Sequence, residues 1–219
     1  MSQLPLLNVD NLAFERDDDC LLNNVNLSLN AGEIVQVEGA NGSGKTTLLR
    51  LLTTALQPSA GTIFYKGRAL AECRYQYLSD MLYIGHQPAV KLTLTAEENL
   101  RWMVNTEAGV KHGSNADPHG IAAALAAVGL SGYTDVPCYA LSAGQHRRVA
   151  LARLMITTAT LWYLDEPFTA IDKQGVSFLE CRLQEHLDQG GAVVLTSHQD
   201  LTLKNLRNYS LSSQAGQVT

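Results

Sequence analysis

The chain has 219 residues, 46% of them hydrophobic and 17% charged, which suits one α/β domain with at most a small inserted lobe. The formal net charge of −5 argues against nucleic acid as the main partner. No run of about 18 apolar residues occurs, and the first ten residues lack the basic and apolar regions of a signal peptide, so we expect a cytoplasmic protein.

The chain begins with β-patterns that lead to a glycine-rich loop. Residues 6–14 alternate as a strand does, and residues 25–29 predict a second strand. The apolar run 34–37 then precedes the glycine-rich segment 39–47, and the pattern of residues 48–52 is helical. A strand, a glycine-rich loop and a helix in this order are the context of a phosphate-binding loop.

The glycine-rich segment fits the spacing G-x-x-x-x-G-K-[ST]. Its glycines let successive N–H groups point inward toward phosphate, and the helix that begins near Lys45 adds the positive end of its dipole. The motif predicts that Lys45 reaches the β- and γ-phosphates of ATP and that the Thr46 hydroxyl binds Mg²⁺. The candidate nucleotide-binding residues are Gly39, Ala40, Asn41, Gly42, Ser43, Gly44, Lys45, Thr46 and Thr47.

Short apolar runs predict the remaining strands. They are an edge strand at 62–65, a strand at 81–85, and two buried parallel strands at 160–164 and 192–196. Residues 173–189, between the last two strands, predict a helix that ends at Gly190 and Gly191.

A helical pattern from about 88 to 145 interrupts the strands. The sequence Thr-Ala-Glu-Glu at 95–98 predicts a capping box that opens one helix. Asp117 and Pro118 place a cap and a first-turn proline before a second helix, residues 121–128. The sequence therefore predicts a P-loop sheet with an inserted helical lobe.

A P-loop needs a second acid for Mg²⁺, and the apolar run 161–164 delivers Asp165 to the phosphate end of the sheet. Glu166, one residue later, would polarise the attacking water as a general base. A lone Asp-Glu pair after a strand is usually a solvated strand end. Behind a phosphate-binding loop, the functional interpretation is favoured.

Residues 141–145, Leu-Ser-Ala-Gly-Gln, form a second loop of small residues before a predicted helix at 142–155. Ser142 and Gln145 predict a capping box, which alone would explain their presence. The alternative is a second anion site, made of a serine hydroxyl, a glycine N–H and a helix N-terminus. Because one loop already cradles the phosphates, such a site would face another subunit's nucleotide across a two-fold interface.

With these motifs the chain resembles the ABC-type ATPases over nearly its whole length. Residues 39–46 match the Walker A motif of that family, and Asp165 and Glu166 match its Walker B motif and catalytic glutamate. Residues 141–145 match the family signature, with Ala143 where glycine is commoner.

The resemblance also implies roles for residues whose local sequence alone would not indicate them. Gln87 stands where the Q-loop glutamine contacts Mg²⁺ and relays motion to membrane subunits, and Asp172 lies in the D-loop. His198, which alone would more often be a capping or surface residue, matches the switch histidine that holds the γ-phosphate. The implied sets are catalytic Glu166, His198 and Gln87; metal-binding Thr46, Gln87 and Asp165; and further nucleotide-binding Ser142, Ala143, Gly144, Gln145 and Asp172.

Two residues are candidates for stacking on the adenine base. The family stacks adenine on an aromatic residue, and alignment of the strand at 26–29 places Arg16 at that position, with Phe14 two residues earlier. Arg16 could stack through its guanidinium plane, or Phe14 could serve instead.

The implied fold is an α/β RecA-like P-loop core with an antiparallel β edge, at about 1–32 and 62–66, and an inserted helical subdomain. One nucleotide-binding domain would span 1–219, with its core at about 1–87 and 146–219 and the helical subdomain at about 88–145. Two copies should close head to tail as a homodimer around two Mg-ATP.

Three stretches, 83–88, 141–154 and 161–172, look like the ATP-binding subunits of bacterial cytochrome c maturation systems. This implies that the chain is a peripheral subunit on the cytoplasmic side of the inner membrane, in a haem-exporter-type complex with integral membrane permease subunits. The complex would power haem delivery to a periplasmic haem chaperone. Another ABC exporter is an alternative, because it would share every catalytic residue. A soluble ABC ATPase acting on ribosomes or DNA is a weaker one, since those usually carry two cassettes or a long coiled-coil insert.

The cysteines give no sign of a metal or haem site. Cys20, Cys73, Cys138 and Cys181 are far apart, form no C-x-x-C pair and are expected to be reduced thiols. The sequence contains no C-x-x-C-H and no paired His or Met pattern that would indicate bound haem.

Overall fold

Two β-sheets carry the helices of this protein in a computed structural model that describes residues 4–17, 19–106 and 118–211. The strands are β1 (Leu7–Arg16), β2 (Asp19–Leu29), β3 (Ile34–Glu38), β4 (Ala60–Tyr65), β5 (Arg68–Ala69), β6 (Met81–Ile84), β7 (Leu161–Asp165), β8 (Ala192–Thr196) and β9 (Leu206–Ser210). The helices are α1 (Lys45–Leu52), α2 (Leu70–Asp80), α3 (Ala96–Thr106), α4 (Pro118–Ala127), α5 (Ala143–Leu151) and α6 (Lys173–Asp188).

The parallel sheet has the strand order β6-β7-β8-β3-β9. Every residue of β7 and β8 is buried, which is why both read as continuous apolar runs. Thr196, the last residue of β8, is in register with Asp165 on one side and with Val37 on the other. The loops that follow β3, β7 and β8 therefore leave the same edge of the sheet, which is where open α/β sheets bind ligands.

The antiparallel sheet has the order β2-β1-β4-β5 and confirms the expected antiparallel β edge. It differs from the prediction in two details. β4 lies between β1 and the two-residue strand β5, so it is not the outermost strand. β2 begins at Asp19 rather than Val25, because its first half is largely exposed and lacks the alternation that marks its second half.

The helical part of the chain has a hydrophobic cluster of its own, to which Leu100, Ile121 and Val149 belong. The capping box before α3 is present: the Glu98 N–H donates to Thr95 Oγ1 over 3.1 Å, and the Thr95 N–H donates to a Glu98 carboxylate oxygen over 2.8 Å. The predicted cap at Asp117 lies outside the described residues. The proposed bounds of the core and the helical subdomain stay a prediction.

Sequence patterns missed α2 and β9. α2 buries only Cys73 and Tyr77 and contains a kink at Cys73, so it has no clear apolar stripe. The side chains of β9 are partly or fully exposed, as is common for an edge strand. The helix predicted at 142–155 is α5 followed by a 3₁₀ turn at Ala152–Met155.

None of the helices in residues 4–17, 19–106 and 118–211 combines the length and apolar character that a membrane crossing needs.

Candidate nucleotide site

A cleft with a volume of about 460 Å³ lies at the carboxyl edge of the parallel sheet. Four segments form it: the loop between β3 and α1, the loop after β6, the end of β7 with the residues that follow it, and the residues after β8. Its lining residues are Asn41, Gly42, Gly44, Lys45, Thr46, Thr47, His86, Asp165, Glu166, Thr169 and His198.

The loop between β3 and α1 depends on glycine at its first and last turns. Gly39 has φ +156°, and a Cβ there would lie 2.4 Å from Ser43 Oγ. Gly44 has φ +96°, and a Cβ there would lie 2.8 Å from Leu22 Cδ2 in β2. The curled backbone places the N-terminus of α1, with its positive dipole end, at the cleft.

Two polar groups of this loop are arranged for a ligand. The Lys45 ammonium donates to the carbonyl oxygens of Gly39, over 2.7 Å, and of Ala40, over 3.1 Å. Ser43 Oγ is buried and has no hydrogen-bond partner within the described residues. A buried hydroxyl without a partner is costly, and a phosphate oxygen in the loop would satisfy it.

Asp165 lies at the floor of the cleft and is 1% exposed. Thr46 Oγ1 lies 3.0 Å from Asp165 Oδ2 and 3.3 Å from Oδ1. Thr196 Oγ1 donates to Asp165 Oδ1 over 2.8 Å. The Asp165 carboxylate is therefore oriented by two hydroxyl groups, one from α1 and one from the end of β8.

Glu166 and His198 also line the cleft and lie next to each other. His198 Nε2 lies 3.5 Å from Glu166 Oε1, with Glu166 mostly buried and His198 mostly exposed. Glu166 has φ +50°, a left-handed conformation that is unusual for a residue with a side chain. Its N–H donates to Thr196 Oγ1 over 2.9 Å. A carboxylate and an imidazole thus lie next to each other in the cleft that Lys45 also lines.

The donor set fits a small, hard cation. A hydroxyl and a carboxylate, Thr46 and Asp165, are adjacent oxygen ligands of the kind that Mg²⁺ accepts together with substrate phosphates. Within the described ranges, no group of three or more His, Cys, Asp and Glu side chains could hold a metal by itself. The residues therefore fit Mg²⁺ bound with phosphate rather than a protein-only cage.

Of the predicted phosphate-loop residues, Gly39, Ala40 and Ser43 are not among those that line the cleft, and three candidate ligands from other segments do not line it either. Gln87 is exposed, and its neighbour His86 lines the cleft instead. Arg16 is exposed and pairs with Asp17, with Nε 3.4 Å from Oδ2. Phe14, the other candidate for stacking on the base, is partly buried and packs against the core of the antiparallel sheet.

The signature residues also lie outside this cleft. The capping box of α5 is formed: the Gln145 N–H donates to Ser142 Oγ over 3.3 Å, and the Ser142 N–H donates to Gln145 Oε1 over 2.8 Å. Asp172 caps α6 by accepting from the Gly175 N–H over 2.8 Å, and it pairs with Arg148 at 2.8 Å. These caps account for the local sequence, and a second anion site facing another subunit stays a prediction.

Sequence reasoning missed His86 and Thr169 in the lining and Thr196 behind it. His86 follows the strand predicted at 81–85, and Thr196 ends the strand predicted at 192–196, so both stood at the correct sheet edge. Tyr83, the third residue of β6, does not line the cleft, but the charge of Asp165 acts on it. Burial raises the pKa of its phenol, and the negative charge of Asp165 raises it further.

The ABC transporter family model matches residues 22–169. The cytochrome c biogenesis ATP-binding export protein CcmA of Pseudomonas putida KT2440 is 52% identical over 193 residues, covering 88% of this chain and 89% of that protein. The CcmA protein of Escherichia coli K12 is 47% identical over 209 residues, covering 94% and 97%.

Solved structures share the fold. A putative ABC transporter ATP-binding protein from Pyrococcus furiosus has a TM-score of 0.78 at 27% identity, covering 94% of this chain and 96% of that one. An ATP-binding cassette in a dimeric post-hydrolysis state with ADP and Pi has a TM-score of 0.76 at 22% identity, covering 88% of each chain. This chain belongs to the ABC transporter family.

Proposed function

We propose that this chain is the ATP-hydrolysing subunit of a membrane transporter and that the cleft binds Mg-ATP. One observation carries the proposal: Thr46 and Asp165 meet at 3.0 Å on one side of the same cleft in which Glu166 and His198 meet at 3.5 Å. The first pair suits a metal bound with phosphate, and the second suits proton transfer beside it.

The loop between β3 and α1 would bind the phosphates. Lys45 would exchange the carbonyls of Gly39 and Ala40 for phosphate oxygens, which are stronger acceptors for an ammonium group. Ser43 Oγ and the loop N–H groups would bind the same phosphates. Mg²⁺, held by Thr46 and Asp165, would neutralise the charge that develops on the phosphates during transfer.

Hydrolysis itself needs a base. Glu166 would accept a proton from the attacking water as the new P–O bond forms and the bond between the β- and γ-phosphates breaks. His198, next to the Glu166 carboxylate, would orient it and contact the γ-phosphate from the exposed side of the cleft. Gln87 joins these residues only when the loop after β6 carries it toward the cleft.

The rest of the site would come from a second copy of the chain. Ser142, Ala143, Gly144, Gln145 and Asp172 lie outside the cleft of their own subunit and would face the nucleotide of the partner in a head-to-tail homodimer. For the base, Arg16 has an exposed side chain and Phe14 packs into the sheet core, so Arg16 is the better candidate.

We further propose that the transporter is a cytochrome c maturation system of the haem-exporter type. Support comes from CcmA proteins at 47–52% identity over most of this chain. The subunit would then bind integral membrane permease subunits at the cytoplasmic side of the inner membrane, as a peripheral translocase component, through the helical lobe at about 88–145. Its ATP hydrolysis would power delivery of haem to a periplasmic chaperone.

Two experiments test the ATPase chemistry and the transporter assignment separately. Mg²⁺-dependent ATP hydrolysis by the purified chain, absent in Glu166→Gln, tests the chemistry. Restored cytochrome c maturation in an E. coli strain lacking its own CcmA tests the transporter assignment, with Glu166→Gln as the inactive control. Hydrolysis without restored maturation would point to another ABC exporter, and absence of hydrolysis would refute the first proposal.

A further inference from the structure

Arg147 on α5 is 3% exposed, although it carries a charge. Its guanidinium group donates to four main-chain carbonyl oxygens in two separate segments, the loop after β6 and the end of β7 with the residue that follows it. Nη1 donates to Gly85 over 2.8 Å and to His86 over 3.3 Å, and Nη2 donates to Asp165 over 2.9 Å and to Glu166 over 2.7 Å. One side chain thus joins the loop after β6 to the segment after β7.

Burying this charge is costly, which argues for a role beyond packing. Burial lowers the pKa of the Arg147 guanidinium, while the negative charges of Asp165 and Glu166 act in the opposite direction. Nε of Arg147 has no hydrogen-bond partner within the described residues. An apolar side chain of similar volume would fill the space without these costs, so the four carbonyl contacts are the reason for a guanidinium here.

The Glu166 backbone is the part of the site that needs such support. A left-handed φ on a residue with a side chain is strained and persists only where the surroundings hold it. The Glu166 N–H is held by Thr196 Oγ1 at 2.9 Å, and its carbonyl is held by Arg147 at 2.7 Å. The peptide groups on both sides of the Glu166 side chain are therefore fixed, one by β8 and one by α5.

We propose that Arg147 is a positioning residue that fixes the Glu166 backbone, so that its carboxylate faces the cleft, and ties this segment to the loop carrying His86. This inference rests on the proposed function of Glu166 as the base. Arg147 does not line the cleft, so it affects hydrolysis through Glu166 rather than by contact with the substrate.

The test replaces Arg147 in two ways beside a matched control. Arg147→Met keeps most of the volume and removes every donor, and Arg147→Lys keeps the charge but cannot bridge two loops with a planar fork. Arg182→Met is the control: Arg182 is also largely buried and donates from Nε to the Leu154 carbonyl over 2.9 Å, but its side-chain partners are Leu154, Glu185 and Trp162 rather than residues 85–86 or 165–166. All variants are made in the full chain and checked for cooperative unfolding.

Arg147→Met should lower kcat for ATP hydrolysis about 10- to 100-fold, since misplacing a reacting group by about 1 Å has effects of that size. Its KM for ATP should stay within about threefold of wild type, because the phosphate loop is intact. The kcat of Arg147→Lys should lie between those of Arg147→Met and wild type, and the kcat of Arg182→Met should equal that of wild type. In a Glu166→Ala background, Arg147→Met should cause little further loss, because its effect passes through the Glu166 carboxylate.

Amide hydrogen exchange gives a readout that does not need activity. Exchange at residues 165–169 and 85–88 should rise in Arg147→Met and remain at the wild-type rate in Arg182→Met. Unchanged exchange there overturns the inference even if the wild-type protein hydrolyses no ATP. A wild-type kcat in Arg147→Lys would also overturn it. The same holds if Arg147→Met lowers kcat by an equal factor in the wild-type and Glu166→Ala backgrounds. Should Arg147→Met fail to fold, the lysine variant decides.

Discussion

Thr46 Oγ1 lies 3.0 Å from Asp165 Oδ2, although the two residues are 119 positions apart in the chain. The contact joins the first turn of α1 to the last residue of β7. It therefore makes the phosphate loop and the acidic strand end one unit, in which a hydroxyl and a carboxylate present oxygen atoms side by side. Several expected outcomes depend on this unit and on its neighbours.

Thr46→Ala should weaken binding of Mg-ATP by about tenfold to a hundredfold, because it removes a hydrogen bond to a charged group worth about 1.5–3 kcal/mol together with a metal ligand. ATP measured in the presence of EDTA should bind nearly as before, since Lys45 and the loop are untouched. Titration calorimetry with and without Mg²⁺ checks this, and Thr46→Ser should behave as wild type. Equal weakening with and without Mg²⁺ would contradict a metal role for Thr46.

Glu166→Gln should abolish turnover while ATP binding remains. Loss of a general base costs about 10²–10⁴ in rate, and the amide keeps the size of the side chain. The measurement is single-turnover hydrolysis beside equilibrium binding of ATP on the same preparation. Hydrolysis within a few-fold of wild type would mean that another residue takes the proton.

Spacing in the sequence was sufficient to identify the phosphate loop and Asp165 as candidates, because glycine turns and the end of a strand leave local sequence patterns. In the structure, the carboxyl edge of the parallel sheet brings these segments together. The roles of Thr196 and Arg147 had no such pattern. Thr196 binds the Asp165 carboxylate and the Glu166 N–H, and Arg147 binds four backbone carbonyls, and all of these partners are distant in sequence. In the sequence, an arginine that binds carbonyls cannot be told from any other arginine of a helix.

Gln87 and α2 illustrate two other limits. A motif position shows which residue belongs to a site but not which way its loop turns, and here His86 rather than Gln87 lines the cleft. α2 exposes most of its surface and is kinked at Cys73, so hydrophobic periodicity could not reveal it.

The isolated chain should be mainly monomeric and should dimerise when ATP is bound and hydrolysis is blocked. The reason is that Ser142 to Gln145 lie outside the cleft of their own subunit, where a partner's nucleotide could complete them. Sedimentation of Glu166→Gln with Mg-ATP, compared with the same protein in EDTA, measures this. A mass that does not respond to ATP would count against a shared nucleotide site.

His186 should make stability depend on pH. It is buried, stacks on Trp162 with ring centroids 3.6 Å apart, and burial lowers its pKa to about 4 from an ordinary 6.5. Between these values the unfolded chain binds more protons than the folded one, so stability should fall as the pH drops from about 6.5 to 4.

The loss from this group should reach at most about 3 kcal/mol. Urea unfolding of wild type and His186→Phe at pH 7 and pH 5 measures it, because the phenylalanine variant keeps a ring against Trp162 and has no proton to bind. An equal loss in both proteins would assign the pH dependence to other groups.

Gln87→Ala should lower transport-linked activity more than it lowers ATP binding. Gln87 is exposed and follows His86, which lines the cleft and is held by Arg147, and it precedes the helical part of the chain. A residue at such a junction can relate the state of the nucleotide to the angle of the helices, as a hinge does.

The measurement compares the nucleotide affinity of the purified subunit with cytochrome c maturation in cells that carry the same substitution. Gln76→Ala, an exposed glutamine on α2, is the matched control and should leave both values unchanged. We expect an affinity for ATP within about threefold of wild type, as the phosphate loop is intact, together with a clear loss of maturation. Normal maturation would remove Gln87 from the coupling path. Loss of ATP binding in the same proportion as maturation would make Gln87 a ligand of the nucleotide site and nothing more.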